Sequence, residues 1–168
     1  MKHEHEVAKH AALEVGKILL NIYYTDYKVE HKGTSPMYSG LNPVTDADRA
    51  SDEYLKTVLT SEFPQYGWFS EETKDSPERL SKERVWIVDP LDGTKEYIEK
   101  VPMWVVSIAL VENKVPVLGI LYNPVKEELF SAVKGEGANL NGERVFCSTE
   151  TDPSQMVILN SRLSLIHI

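Results

Sequence analysis

The stretch "VWIVDPLDGTKEYI", residues 85–98, sets Asp89 and Asp92 around Pro90 at the end of an apolar run. Charge is costly to bury, so two carboxylates aimed from the end of a core strand need a reason. Acidic residues recur at two other element edges, Asp46 and Asp48 at the start of a predicted helix and Glu71 and Glu72 after "YGWFS". Carboxylates about 4 Å apart repel by ~4 kcal/mol at an effective dielectric of about 20, so four converging ones call for a counter-ion. All the candidate donors are oxygens, with no His or Cys among them, which favours Mg²⁺, Mn²⁺ or Ca²⁺ over Zn²⁺. Pro90 frees the Leu91 carbonyl from sheet pairing, so that it can also turn toward a ligand. Gly93 permits a sharp turn, and Thr94 is suited to cap a short helix in "KEYIEK", whose first amides make a phosphate seat. A hard-metal site beside a phosphate seat points to metal-assisted phosphoryl hydrolysis.

Each acidic cluster also has a plainer reading. Thr45 with Asp48 three residues on resembles an N-terminal capping box, and acidic residues in a first turn favour the helix dipole. Glu71-Glu72 can be a solvated strand end, of which only one side chain can face a given site. Asp92-Gly93 is a turn dipeptide, and Pro90 is where a ladder stops.

The elements that must position these groups are legible in the patterning. Val7, Ala11, Val15, Ile18, Leu19 and Ile22 recur at helical spacing over residues 4–24. "HKGTSPMYSGLNP" reads as a loop broken by Gly33, Pro36, Gly40 and Pro43. A second helix is predicted from about Thr45 to Glu62, with Ala47, Ala50, Tyr54, Leu55, Val58 and Leu59 inward and Pro64 beyond its end. "YGWFS", "RVWIVD", "WVVSIALVE", "VPVLGILY", "ELFSAV" and "QMVILN" read as strands, the third and fourth forming a hairpin that turns at Glu112 to Lys114. Helices first and adjacent strands afterwards predict an α+β domain, two N-terminal helices packed on a largely antiparallel sheet.

A chain of 168 residues, 42% hydrophobic and 26% charged, can bury one substantial core. No apolar run approaches the ~20 residues that cross a bilayer. The N-terminus lacks the apolar stretch of a signal peptide and Cys147 is the single cysteine, so a reducing cytoplasm is the expected location. A net charge of −8 argues against a nucleic-acid polymer or an anionic membrane as partner. A small anionic substrate remains open if a metal neutralises the site. Ser107, Ser161 and Cys147 have no His or Asp partners in motif context and read as structural; His3, His5 and His10 read as part of a solvated helix face.

Three motifs in order carry a resemblance to a known family. "NPVTDAD" (42–48), "SEET" (70–73) and "DPLDGT" (89–94) resemble the Val-Thr-x-x-Asp, Glu-Glu and Asp-Pro-(Ile/Leu)-Asp-Gly-Thr elements of the Mg²⁺-dependent, lithium-sensitive inositol monophosphatase superfamily. The resemblance implies the first half of a layered αβαβα sugar-phosphatase fold. It also implies that Glu71, Asp89, Asp92 and the Leu91 carbonyl bind metal, two or three Mg²⁺ ions or else Mn²⁺. It selects Glu71 over Glu72. Asp48 would belong to a more mobile site, holding a further metal or its water. Thr94 with Glu71 would position the attacking water, and the amides of Gly93 and Thr94 would hold the phosphate. The implied mechanism is in-line attack by a metal-activated water, with no phosphoryl-enzyme intermediate and no nucleophilic side chain. "KEYI" at 95–98 is similar to the 3'(2'),5'-bisphosphate nucleotidase branch; an inositol or other sugar phosphate is the alternative substrate.

Members of that family continue into a second α/β half with a Trp-Asp element, which is not found in these 168 residues. "NSRLSLIHI" stands where the nucleotidase branch reads Ser-Arg-Ser-His. The expected organisation is therefore a metal-binding phosphatase domain over 1–160 and an atypical end over 161–168, in a truncated or frameshifted chain. An alternative of another class is a catalytically incompetent fragment that binds metal or forms homo-oligomers.

Overall fold

The structure, a computed structural model, describes residues 1–26, 28–34 and 41–157, with backbone alone over 31–34 and 41–44. Two helices open the fold, α1 at Lys2–Tyr23 and α2 at Asp46–Glu62, as the periodicity predicts. Between them lie two short antiparallel strands, β1 at Val29–Thr34 and β2 at Leu41–Thr45. The sequence predicts a loop here, and both of its ends are instead paired backbone. Pro43 fits in β2 because both strands of a two-stranded sheet are edges, where a missing donor costs little.

The main sheet has seven strands in sequence order: β3 at Gly67–Ser70, β4 at Arg84–Asp92, β5 at Val105–Glu112, β6 at Val115–Asn123, β7 at Glu128–Val133, β8 at Gly137–Leu140 and β9 at Glu143–Val145. Every pair is antiparallel except β3–β4, which is parallel. This is the α+β class expected. The β5–β6 hairpin turns at Asn113 and Lys114, both with positive φ, and β8–β9 at Asn141 and Gly142. Asn-Gly is the strongest two-residue hairpin signal, yet β8 and β9 are not among the predicted strands. The strand predicted at "QMVILN" is not formed over Gln155 to Val157, and its remainder lies outside the described residues, as do Ser161 and the 161–168 end.

One face of the sheet is covered by the helices. Ala8, Ala11, Ala12, Val15 and Leu19 of α1 and Leu55 and Leu59 of α2 bury Trp86, Val88, Val106, Ile108, Leu110 and Ile120. The small residues let α1 approach closely: a Cβ on Gly16 would meet Tyr122 Cε1 at 2.4 Å. Val7, Ile18, Ile22, Ala50, Tyr54 and Val58, expected inward, are half-buried on the flanks of the two contact stripes. On the opposite face, cross-strand rows run Asp89–Ser107–Leu121–Phe130 and Ile87–Ala109–Gly119–Ala132–Ala138. Ile87, Leu121 and Phe130 of that face are 38%, 44% and 42% exposed.

Candidate active site

The parallel pairing of β3 with β4 builds the site. Parallel strands end at the same edge, and the register Ser70↔Val88 sets Glu71 beside Asp89, with the Glu71 amide donating to the Val88 carbonyl at 3.2 Å. Asp89 lies within hydrogen-bonding reach of Glu71. Burial raises the Asp89 carboxyl first, and the Glu71 charge, this hydrogen bond and the Asp92 charge raise it further, to about 8. Asp92 is raised by burial, then by the charges of Glu71 and Glu96. The structure thus brings Glu71, Asp89 and Asp92 into one electrostatic group. The Glu72 amide donates to the Ser70 hydroxyl oxygen at 3.2 Å, and the Glu72 charge acts on Arg49 rather than on Asp89 or Asp92.

Pro90 does not end the strand as the sequence predicts. β4 continues to Asp92 through an irregularity between Asp89 and Asp92, after which Asp92 pairs with Val105. The Leu91 amide donates to Asp89 Oδ1 at 3.2 Å, so the carboxylate itself closes the bulge. Gly93 follows with φ 98°, and a Cβ there would stand 3.0 Å from the Met103 carbonyl oxygen, so the turn requires glycine.

Thr94 is not the cap of the short helix α3 at Thr94–Ile98; Gly93 occupies that position. The Thr94 hydroxyl instead lies 3.1 Å from Asp48 Oδ1 and 3.2 Å from the Leu91 carbonyl. Asp48 is buried. Its Oδ2 accepts from the Thr45 amide at 2.7 Å and the Thr45 hydroxyl at 2.5 Å, completing a capping box at the start of α2. One Asp48 oxygen thus caps the helix, as the plainer reading expects, while the other reaches Thr94. Burial raises its carboxyl, against the lowering effect of the bonds to Thr45 and Thr94.

Asp52 is a residue the motifs do not reveal. One turn after Asp48, it is 8% exposed and accepts hydrogen bonds from the Ser70 hydroxyl and, at 2.6 Å, from the Thr73 hydroxyl. Its signal is an acid four residues from Asp48 on the inward face of an amphipathic helix, where an apolar residue is the rule.

Among the described residues, no three His, Cys, Asp or Glu side chains stand already gathered as a metal cage. The donor chemistry nevertheless fits a hard cation: oxygen ligands alone, around an Asp89 carboxyl that burial first and the Glu71 charge next push up to about 8. Ser107 sits directly opposite Asp89 on β5, and Cys147 is exposed. His3 is exposed and paired with Glu62 at 2.8 Å, away from these carboxylates.

A sequence profile of the inositol monophosphatase family matches residues 1–165. The inositol monophosphatase of Dictyostelium discoideum is 40% identical over 147 residues, which are 86% of this chain and 52% of that protein. The extragenic suppressor protein suhB from Bartonella henselae superimposes with a TM-score of 0.78 at 32% identity, covering 86% of this chain and 54% of that one. CysQ from Bacteroides thetaiotaomicron, a bacterial member of the inositol monophosphatase family, gives 0.69 at 38% identity, covering 89% and 53%. The chain spans about half the length of the relatives it matches.

Proposed function

We propose, from the premise that the chain belongs to the inositol monophosphatase family, that it supplies the metal-binding half of a Mg²⁺-dependent phosphomonoesterase. The observation that carries this reading is the pairing of Glu71 with Asp89 at the shared end of β3 and β4, beside the Thr94–Asp48 bond. Glu71, Asp89, Asp92 and the Leu91 carbonyl would hold Mg²⁺ or Mn²⁺, with Asp48 beside a further ion or its water. When bound, the metal supplies an acidified water and neutralises charge on the phosphate. The protein's own groups do the rest. Thr94 Oγ1 and Glu71 orient the water, and Asp48 Oδ1, already bonded to Thr94, accepts the proton passed through that hydroxyl. Gly93 and Thr94 amides hold phosphate oxygens.

The substrate proposed is a nucleoside 3'(2'),5'-bisphosphate, on the strength of "KEYI". Relatives named inositol monophosphatase favour inositol phosphate as the second reading. The exposed Cys147 fits a reducing cytoplasm. The alternative of another class is a chain that binds metal through a domain spanning 1–160 and has no turnover of its own.

Calorimetric titration with Mg²⁺ and Mn²⁺ tests the metal site: the parent chain and Glu72→Gln bind, while Glu71→Gln and Asp89→Asn do not. Equal loss in Glu72→Gln assigns the wrong glutamate. Phosphate release is then measured from the two substrate classes, for this chain alone and for the chain joined to a relative's second half. Activity in the joined chain but at least about a hundredfold less in this one is expected, the size of losing a main source of transition-state stabilisation. Preference for inositol phosphate would reject the bisphosphate assignment.

A further inference from the structure

We propose that Asp52 is a positioning residue which makes α2 the common template for both arms of the candidate site, an inference that rests on the metal-site reading above. Residues four apart on a helix share a face, so Asp48 and Asp52 project from the same side of α2 one turn apart. They reach different arms. Asp48 Oδ1 receives Thr94, at the end of the arm that leaves β4. Asp52 receives Ser70 and Thr73, which flank Glu71 and Glu72 on the arm that leaves β3.

The Glu71 backbone is thereby held from two directions. On the sheet side its amide is tied to Val88. On the helix side the residue before it and the residue two after it are both bonded to one buried carboxylate, and the Ser70 hydroxyl also receives the Glu72 amide at 3.2 Å. A buried carboxylate is tolerated only when its oxygens are bonded, and here Oδ1 takes one hydroxyl and Oδ2 the other. The parallel β3–β4 ladder ends at Ser70↔Val88, with the Glu71 amide on the Val88 carbonyl as its last bond, so the sheet holds Glu71 beside Asp89 from one side only and leaves the course of residues 72–74 open. Asp52 fixes that course, and because α2 also carries Asp48 it ties the Glu71 corner to Thr94. Groups that orient metal ligands in this way change metal affinity by about 10–100-fold when removed.

The test compares Asp52→Ala, Asp52→Asn and the Ser70→Ala/Thr73→Val pair with the parent chain and Glu71→Gln. Amide hydrogen exchange and Mn²⁺ titration are read on the same samples. Asp52→Ala is expected to speed exchange at the amides of residues 71–74 while leaving α1 and the β5–β6 hairpin at parent rates. It should also weaken Mn²⁺ binding about tenfold or more. Asp52→Asn, which keeps a single acceptor oxygen, falls between, and adding Asp52→Ala to the Ser70/Thr73 pair has no further effect. Exchange that quickens uniformly across the molecule, or parent-like exchange with Mn²⁺ affinity within about twofold, overturns the proposal. If the parent itself fails to bind Mn²⁺, the metal-site reading falls, while local exchange still decides whether Asp52 fixes the 70–74 corner.

Discussion

Asp89 is a residue whose burial and charged neighbours act together against its ionised form. It is partly buried, hydrogen-bonded to Glu71 and close to Asp92, and its carboxyl is raised to about 8 by that surrounding. Repulsion of this kind is a cost of the site rather than of the fold. Asparagine keeps the shape, still accepts the Leu91 amide, and donates its own amide to Glu71. Asp89→Asn is therefore expected to melt a few degrees above the parent chain at pH 8 with a chelator present, a gain of about 1 kcal/mol for a domain of this size. Millimolar Mn²⁺ should raise the parent's melting temperature and leave the variant's unchanged. Differential scanning calorimetry reads both. A variant that melts lower, and is still stabilised by Mn²⁺, would remove Asp89 from the site.

At the level of elements, two joints decide whether the site is presented correctly. The first is the turn from β4 into α3 at Gly93. Any side chain there must adopt φ near 98° and crowd backbone atoms of Met103 and Trp104, neither of which can rotate away. Gly93→Ala should cost about 1–3 kcal/mol in a denaturant titration, with no change in slope. The second joint ties the start of α1 to the sheet. Arg84 of β4 donates to Glu4 at 2.8 Å and to the Tyr66 hydroxyl at 2.7 Å, and binds Glu112 of β5 at 3.1 Å. Burial alone would raise the Glu4 carboxyl. The Met1 amino group, the Glu4 backbone amide and Tyr66 outweigh it and hold the group at about 2. A carboxylate depressed in the folded state stabilises fully above its unfolded value of 4.5 and loses that contribution as pH falls toward about 2. The parent chain should thus lose stability between about pH 4.5 and 2 more steeply than Glu4→Gln. Parallel melting curves over that window would show that the Glu4 cluster contributes nothing to docking α1.

For the molecule as a whole, the sheet face opposite the helices sets the behaviour. Leu121 and Phe130 stand beside Ala109, Gly119, Ala132 and Ala138 around a depression of about 230 Å³, and Ile87 is exposed at the end of the same row as Ala109. Exposed apolar surface of this kind drives association. Asp89 ends the outer row of the same face, so whatever covers the face also borders the site. Light scattering coupled to size exclusion should find the parent chain as a dimer or larger, and Phe130→Asp as a folded monomer. A monomeric parent at the concentrations used for calorimetry would rule the face out as a self-association surface.

The local sequence determined much of this molecule. Helical periodicity fixed α1 and α2, β-branched and aromatic runs fixed the central strands, and Thr45-x-x-Asp48 carried the cap that starts α2. These features depend on neighbours within a few residues, so they are written in short windows. The acidic motifs also marked Glu71, Asp89, Asp92 and Asp48 as the groups with a chemical role to explain. Tertiary structure decided the rest. Whether β3 lies parallel or antiparallel to β4 depends on the path of the chain between them, and only the parallel choice sets Glu71 beside Asp89. Pro90 reads locally as a stop, yet the strand resumes because Asp92 finds Val105 on β5. Thr94 reads locally as a cap, yet its hydroxyl faces an acid 46 residues away. Asp52 reads as one more charge on a helix until Ser70, at the end of β3, and Thr73, in the bend beyond it, arrive to bond it. In each case the deciding partner is distant in sequence, and a hydrogen bond or charge pair exists only once packing has brought both of its ends together.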